Sequence, residues 1–448
     1  MPASASRVLV VGAGYVGLVT AVGLAELGHC VHLVEIREDR LELLRRGVPP
    51  IHEIGLAEAL ATAIESERLS VSAEPRRDVD VALVCVGTPI GADGRSDLSQ
   101  LRSALSELHP VLDDGTPLVI RSTLPPGSTR LAVEWSGVPT SRVFTNPEFL
   151  RQGTALADFR SPTRIVLGCF PDADPDSQAR VEALFSAIDA PRMVVDVAAA
   201  ELMKNGANAF LALKLSFTNE IASLAEEYGA DVDQVLAGMA LDPRIGSQYM
   251  RPSFGFGGSC LPKELQALAA AGTARGLDMH VTIAAADANG AQQERFANRI
   301  AALLGGLQGR TVALLGLAFK AGTDDVRDSP ALGVARRLLA GGAVVRGHDP
   351  AAGWNAQQVL PDLSVSATAE DAVLGADAIV IATEWPEYVD LDWAALRVAA
   401  AGPLLIDGRR LLDPDAMAAL GYRYEAVGTR RLDAAPEASP REGTTRPR

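Results

Sequence analysis

A β-rich run from Arg7 to Val11 is followed at once by Gly12-Ala13-Gly14-Tyr15-Val16-Gly17. A stretch with helical period continues to Leu27 and is closed by Gly28; the next apolar run, CVHLVE, ends in Glu35. Strand, GxGxxG, helix and an acidic residue ending the second strand make up the dinucleotide fingerprint. The glycines allow a tight turn and close approach of backbone to a pyrophosphate, which then faces the helix N-terminus. GxGxxG alone is common, but here its whole context is present. It commits the first part of the chain to an α/β, doubly wound Rossmann domain. Glu35 is expected to accept a hydrogen bond from a ribose hydroxyl and to repel a 2′-phosphate, which favours NAD over NADP. Arg40 either assists with ribose or phosphate or is an ordinary solvated charge. The apolar run 8–27 has some look of a signal peptide or membrane span, and its glycine spacing explains it better. A cytoplasmic location with no membrane partner is therefore expected.

Two further strands carry candidate ligand residues. VDVALVCVGTP (79–89) ends in Gly87, Thr88 and Pro89, and PLVIRSTLPPGST (117–129) brings Ser122 and Thr123 to a strand end. Ligands of open parallel sheets gather at such carboxyl ends. FTNPEFLRQG then supplies Glu148, and RIVLGCF and RMVVDV read as the last strands of this unit. From about Ala198 to Gly229 the pattern becomes one long helix. Lys204 and Asn208, four residues apart, project from the same face. The helix's many apolar positions suggest a dimer core.

A loop with Gly255, Gly257 and Gly258 leads into Cys260, Leu261, Pro262 and Lys263. Proline suits a first helical turn, so Cys260 is expected at a loop-to-helix entry. There the helix N–H groups and Lys263 would both favour a thiolate. Burial is the commoner fate of a free cysteine, but these neighbours point to a nucleophile. Just upstream, Arg244, Tyr249 and Arg251 suit a phosphate or sugar.

After about Gly309 the opening layout recurs. TVALLGLAFKAGTDD parallels the first strand and loop, ADAIVIATEWPEY parallels VDVALVCVGTP, and PLLIDGRR parallels PLVIRST. This second doubly wound unit lacks GxGxxG, so a second dinucleotide is not expected. Its loops carry Lys320, Asp324, Asp325, Arg327 and Arg409. The 448 residues thus divide into 1–197, 198–300 and 301–432, followed by a Pro-, Ser- and Arg-rich tail, 433–448, expected to be disordered. A net charge of −15 argues against nucleic acid. The four cysteines, Cys30, Cys85, Cys169 and Cys260, form no CxxC pair and suit a reducing compartment. His29 and His32 flank Cys30 but fall at a helix end and strand start, and no metal is expected.

GAGYVG, CVGTP, RSTLPPGST, NPEFLRQG, ELMKNGANAFLALK, FGFGGSCLPKE and GLAFKAGTDDVRDSPAL occur in this order. Together, from about Arg7 to Arg431, they resemble the UDP-glucose/GDP-mannose dehydrogenases. The resemblance implies oxidation of a nucleotide-sugar C6 hydroxyl to a carboxylate with two NAD⁺, supplying a uronic acid for polysaccharide assembly. It implies that Cys260 is the nucleophile, that Glu148 works through water, and that Lys204 and Asn208 stabilise an oxyanion. Thr123 would hold a catalytic water, and Glu264 would assist near the cysteine. Phe149, Leu150, Arg151, Tyr249, Arg251, Phe254, Gly255, Gly257, Phe319, Lys320 and Arg409 correspond to substrate-binding positions, with Arg244 supplied across a homodimer. Tyr15, Val16, Gln152, Lys263 and Arg327 correspond to cofactor contacts.

Three positions depart from the family pattern. Gln152 stands in place of a second glutamate and cannot take a proton. Glu264 stands in place of aspartate, and Glu35 likewise. UDP-glucose is the favoured substrate, beside GDP-mannose, dTDP-glucose or an N-acetylhexosamine nucleotide. Other readings are a two-electron NAD dehydrogenase and a non-catalytic sugar-nucleotide sensor.

Overall fold

A computed structural model describes residues 5–91 and 94–429; the tail 433–448 lies outside the described residues. The first sheet contains β1 (Arg7–Val11), β2 (Cys30–Val34), β3 (Leu69–Ser72), β4 (Val81–Val84), β5 (Leu118–Ile120), β6 (Val143–Thr145), β7 (Ile165–Cys169) and β8 (Arg192–Asp196). Their spatial order is β3-β2-β1-β4-β5-β6-β7-β8. All neighbours are parallel except β6 and β7. β1, β4 and β5 are apolar runs buried almost throughout, as strands covered on both faces must be. The strand order reverses between β1 and β4, which opens the crevice where the fingerprint loop lies.

The second sheet contains β9 (Thr311–Leu315), β10 (Val344–His348), β11 (Ser364–Val365), β12 (Ala378–Ile381), β13 (Leu404–Asp407) and β14 (Arg423–Ala426). Its order, β11-β10-β9-β12-β13-β14, repeats that of the first six strands. The two expected doubly wound units are therefore present. The strands that pattern alone did not indicate are short or polar: LSVS, VFT, SV and RYEA.

Between the sheets runs a central helix, Val197–Tyr228. Asp196 caps it by accepting from the Ala199 N–H, and Gly229 ends it in a left-handed conformation. It crosses β7 closely because position 168 is glycine; a Cβ there would come within 2.8 Å of Ala200. Helices Leu261–Thr273 and His280–Leu304 pack beside it. Buried Glu226 receives Arg295, Arg299 at 2.9 Å and the Gly428 N–H at 2.8 Å. It thereby fastens the central helix to the end of the second sheet.

Candidate active site

Cys260 is the N-cap residue of helix Leu261–Thr273, with Pro262 in its first turn, as expected. The loop before it exists only because its glycines lack side chains. A Cβ on Gly257 would lie 2.0 Å from the Asp328 carbonyl oxygen, and one on Gly258 2.7 Å from the Phe319 ring. Asn289 fixes the loop from behind, accepting from the Phe256 N–H at 2.8 Å and donating to its carbonyl at 2.9 Å. The half-buried Cys260 faces a cavity of about 570 Å³.

Its neighbours form one buried charged cluster. Lys204 Nζ donates to Glu148 Oε1 at 3.3 Å, with 4% and 5% of their side chains exposed. One helical turn on, Asn208 donates to Glu264 Oε2 at 2.7 Å. The second oxygen, Glu264 Oε1, is buried without a partner. Burial alone would lower the Lys204 pKa, but Glu148, Glu264 and Cys260 together hold it above its ordinary value. Burial pushes Glu264 up against the pull of Lys204 and Lys263. Burial also pushes the Cys260 thiol up; Lys204 opposes this, while Glu264 and Glu148 add to it.

This corrects the expectation of a thiolate favoured by Lys263. That lysine turns away and donates to Thr88 Oγ1 at 3.3 Å. The cation acting on the sulfur comes from the central helix instead. Desolvation and two carboxylates outweigh it.

The cofactor side is assembled on the first sheet. Gly12 has φ +96°, and a Cβ on Gly17 would lie 1.8 Å from the Gly12 carbonyl oxygen. A Cβ at Gly14 would meet nothing within 4 Å, so the space at the helix N-terminus is open. Glu35 is buried; Oε1 accepts from the Arg37 N–H at 3.0 Å, and Oε2 lies 3.6 Å from Arg40. Arg40 also donates to the Ala13 carbonyl at 2.9 Å, so it braces the fingerprint loop. These features fit a dinucleotide: a glycine cradle, a helix N-terminus and a carboxylate ending β2. Val16 packs into the core, and Tyr15 Oη accepts from the Gly153 N–H at 3.0 Å.

Thr88 links this crevice to the cysteine helix, because it donates to the Thr123 carbonyl at 2.8 Å while receiving Lys263. Ser122 donates to the Val86 carbonyl at 2.8 Å, Gly87 lies against Gln100, and Pro89 accepts from the Asp97 N–H. Gln152 ties three loops together. Its amide nitrogen donates to Asp325 Oδ2 at 2.9 Å and lies 3.4 Å from Ser259 Oγ. Burial works against the charged form of Asp325, but the Arg327 guanidinium bonded to it holds it below the usual carboxylate range.

The far end of the cavity is lined by the second unit. Phe319, Lys320 and Arg409 all reach it, as do Tyr249 and Arg251. Burial lowers the Lys320 pKa, opposed by Glu384 and Glu53. Phe149, Leu150, Arg151, Gly255 and Gly257 also lie on the wall.

Of the expected catalytic residues, Thr123 and Glu264 do not line the cavity, and of the expected substrate-binding residues, Arg244 and Phe254 do not. Arg244 is 88% exposed and is folded back on Asp242 at 2.6 Å, outside the site of its own chain. Phe254 is fully buried, stacked on Phe296 at 4.7 Å and pressed against Gly408; it supports the wall from behind. Sequence reading missed Glu384, which lies 3.1 Å from Arg409, and Arg164, stacked on Phe149 at 3.6 Å. The signal for Glu384 was available, since it stands three residues past β12, where Gly87 stands past β4.

Three family models match in register with this layout. They are the NAD binding, central and UDP binding domains of the UDP-glucose/GDP-mannose dehydrogenase family, over residues 6–189, 198–291 and 313–414. The chain belongs to this family. It is 39% identical to a UDP-glucose 6-dehydrogenase of Pseudomonas aeruginosa, over 95% of this chain and 98% of that one. It is 37% identical to one of Bacillus subtilis, over 95% and 98%. Among solved structures, a UDP-glucose dehydrogenase from Pyrobaculum islandicum superposes with TM-score 0.84 at 37% identity, over 95% of this chain and 98% of that one. Membership of the dehydrogenase family makes the cofactor NAD, in keeping with the glycine cradle and Glu35.

Proposed function

We propose that this dehydrogenase oxidises the C6 hydroxyl of UDP-glucose to the carboxylate of UDP-glucuronate in two successive oxidations on one cysteine. The observation that carries this reading is Cys260 on the cavity wall beside the buried cluster of Lys204, Glu148, Asn208 and Glu264. NAD bound on the glycine cradle supplies the two-electron acceptor, twice per sugar. The nucleotide end of the substrate lies toward Phe319, Lys320, Arg251 and Arg409, and the sugar lies toward Cys260.

Lys204 and Asn208 donate toward the C6 oxygen wherever it carries negative charge, and do so from a dry, fixed frame. Once the alcohol has become an aldehyde, the Cys260 sulfur bonds to C6 and its proton passes to the neighbouring carboxylates or water. The second oxidation turns this thiohemiacetal into a thioester. Water then attacks C6, Glu148 takes up its proton, and the C–S bond breaks to return the thiol and release the acid. Covalent capture holds the aldehyde while the cofactor exchanges.

We further infer a homodimer. Leu202, Phe210, Phe217 and Leu224 recur along the central helix at close to heptad spacing, each about half exposed or more. Arg244, unused in its own chain, suits a contribution to the neighbouring site. The four free cysteines and the NAD chemistry fit a reducing cytoplasm.

The test is a panel of UDP-, GDP- and dTDP-sugars with NAD⁺, counting NADH per sugar. Two NADH per UDP-glucose, with the other nucleotides turned over poorly, is expected. One NADH per sugar would return the chain to the two-electron class.

A further inference from the structure

The two sheets end alike at their switch points. The Gly12 N–H bonds to the Val34 carbonyl at 3.0 Å, and the Gly316 N–H bonds to the His348 carbonyl at 2.7 Å. This sets Gly316 against Gly12, Leu317 and Ala318 against Ala13 and Gly14, and Asp349 against Glu35. In the first unit the acid leaves the glycine cradle open. In the second, the acid closes it. Asp349 Oδ2 accepts from the Leu317 N–H at 2.7 Å, the Ala318 N–H at 3.0 Å and Trp385 Nε1 at 3.0 Å. Asp349 Oδ1 accepts from the Ala351 and Ala352 N–H groups at 2.9 and 2.8 Å. The side chain is buried, and the N–H groups that face ligand in a dinucleotide site are spent on it.

We propose that Asp349 is a substrate-positioning residue: it converts the second nucleotide crevice into a rigid mount for the loop that carries Phe319 and Lys320. The mount is held on its carbonyl side as well. Thr383 donates to the Ala318 carbonyl at 2.7 Å, and Arg409 donates to the Phe319 carbonyl at 3.1 Å. Phe319 in turn presses on Gly258, two residues before the nucleophile. Trp385 ties in the strand end that bears Glu384. A carboxylate is required because five donors converge on it; an amide would turn its own NH₂ against one set of N–H groups.

This proposal rests on the reading that Lys320 and its loop hold the nucleotide-sugar. The test compares Asp349→Asn with Lys320→Ala. Asp349→Asn is expected to raise the KM for the nucleotide-sugar about tenfold, as loss of a buried charged hydrogen-bond set would, with the KM for NAD⁺ unchanged and kcat at saturating sugar nearly retained. A variant that merely lost folded protein would lower kcat and leave both KM values alone, and that result would overturn the proposal, as would an unchanged sugar KM. If Asp349→Asn gives no soluble protein, Trp385→Phe removes a single bond to Oδ2 and must move the sugar KM in the same direction. If Lys320→Ala leaves the sugar KM unchanged, the fault lies in the pocket reading; if Lys320→Ala raises it and Asp349→Asn does not, Asp349 is not a positioning residue.

Discussion

Lys204 and Glu148 meet at 3.3 Å with their side chains almost wholly removed from water. One comes from the central helix and the other from the turn after β6, so the pair joins two separately built parts of the molecule at the point where Cys260 faces the cavity. Two buried charges in contact are costly unless further groups compensate them. Here the compensation is asymmetric: three acidic groups surround one lysine, and the lysine stays charged.

Replacing Lys204 by methionine is therefore expected to slow turnover much more than it weakens sugar binding. Loss of one donor to a developing oxyanion lowers kcat by ~10²–10³, or ~2.7–4 kcal/mol. Steady-state kinetics on the folded enzyme check this. A change confined to KM would contradict the oxyanion role.

The sulfur offers a pH test. Burial raises the Cys260 pKa, with Lys204 opposing and two carboxylates adding to the rise. The thiolate fraction then climbs only at pH above the ordinary thiol range. Alkylation of the ligand-free enzyme by iodoacetamide, followed at the Cys260 peptide, is expected to be slow near neutral pH and to accelerate at higher pH than for a free cysteine. A profile displaced to lower pH would show that a cation dominates the site after all.

Gly257→Ala probes the loop itself. Its Cβ would lie 2.0 Å from the Asp328 carbonyl oxygen, a backbone atom with little room to move. Overpacking of this kind costs ~1–3 kcal/mol. A lowered melting temperature together with loss of activity is expected; near-normal turnover would mean that the close approach of the two loops is unimportant.

On the cofactor side, Glu35→Ala is expected to weaken NAD⁺ by about tenfold, the loss of a charged hydrogen bond to a ribose. Calorimetric titration measures this directly. Unchanged affinity would remove the ribose contact from the site.

Much of this was legible in the chain because the responsible signals are local. The fingerprint glycines, the helical spacing of Lys204 and Asn208, and the proline after Cys260 each dictate nearby backbone. The recurrence of the first unit's pattern gave the second sheet as well. What escaped was set by contacts between distant segments. Lys263 reads as the partner of Cys260 because it is three residues away, yet the helix carries it toward Thr88. Phe254 sits in the same loop as the cavity residues, but its ring turns into the core against Phe296. Arg164 reaches the cavity only through its stack on Phe149, and no short-range pattern encodes that pairing.

The most direct measurement is a rapid acid quench of the enzyme turning over UDP-glucose with NAD⁺, followed by mass analysis of the peptide containing Cys260. A transient mass increase equal to the acylated nucleotide-sugar, confined to that sulfur and lost in Cys260→Ser, is the expected result. Uronic acid accumulating at the normal rate while the Cys260 peptide stays unmodified at every quench time would contradict covalent oxidation on this cysteine.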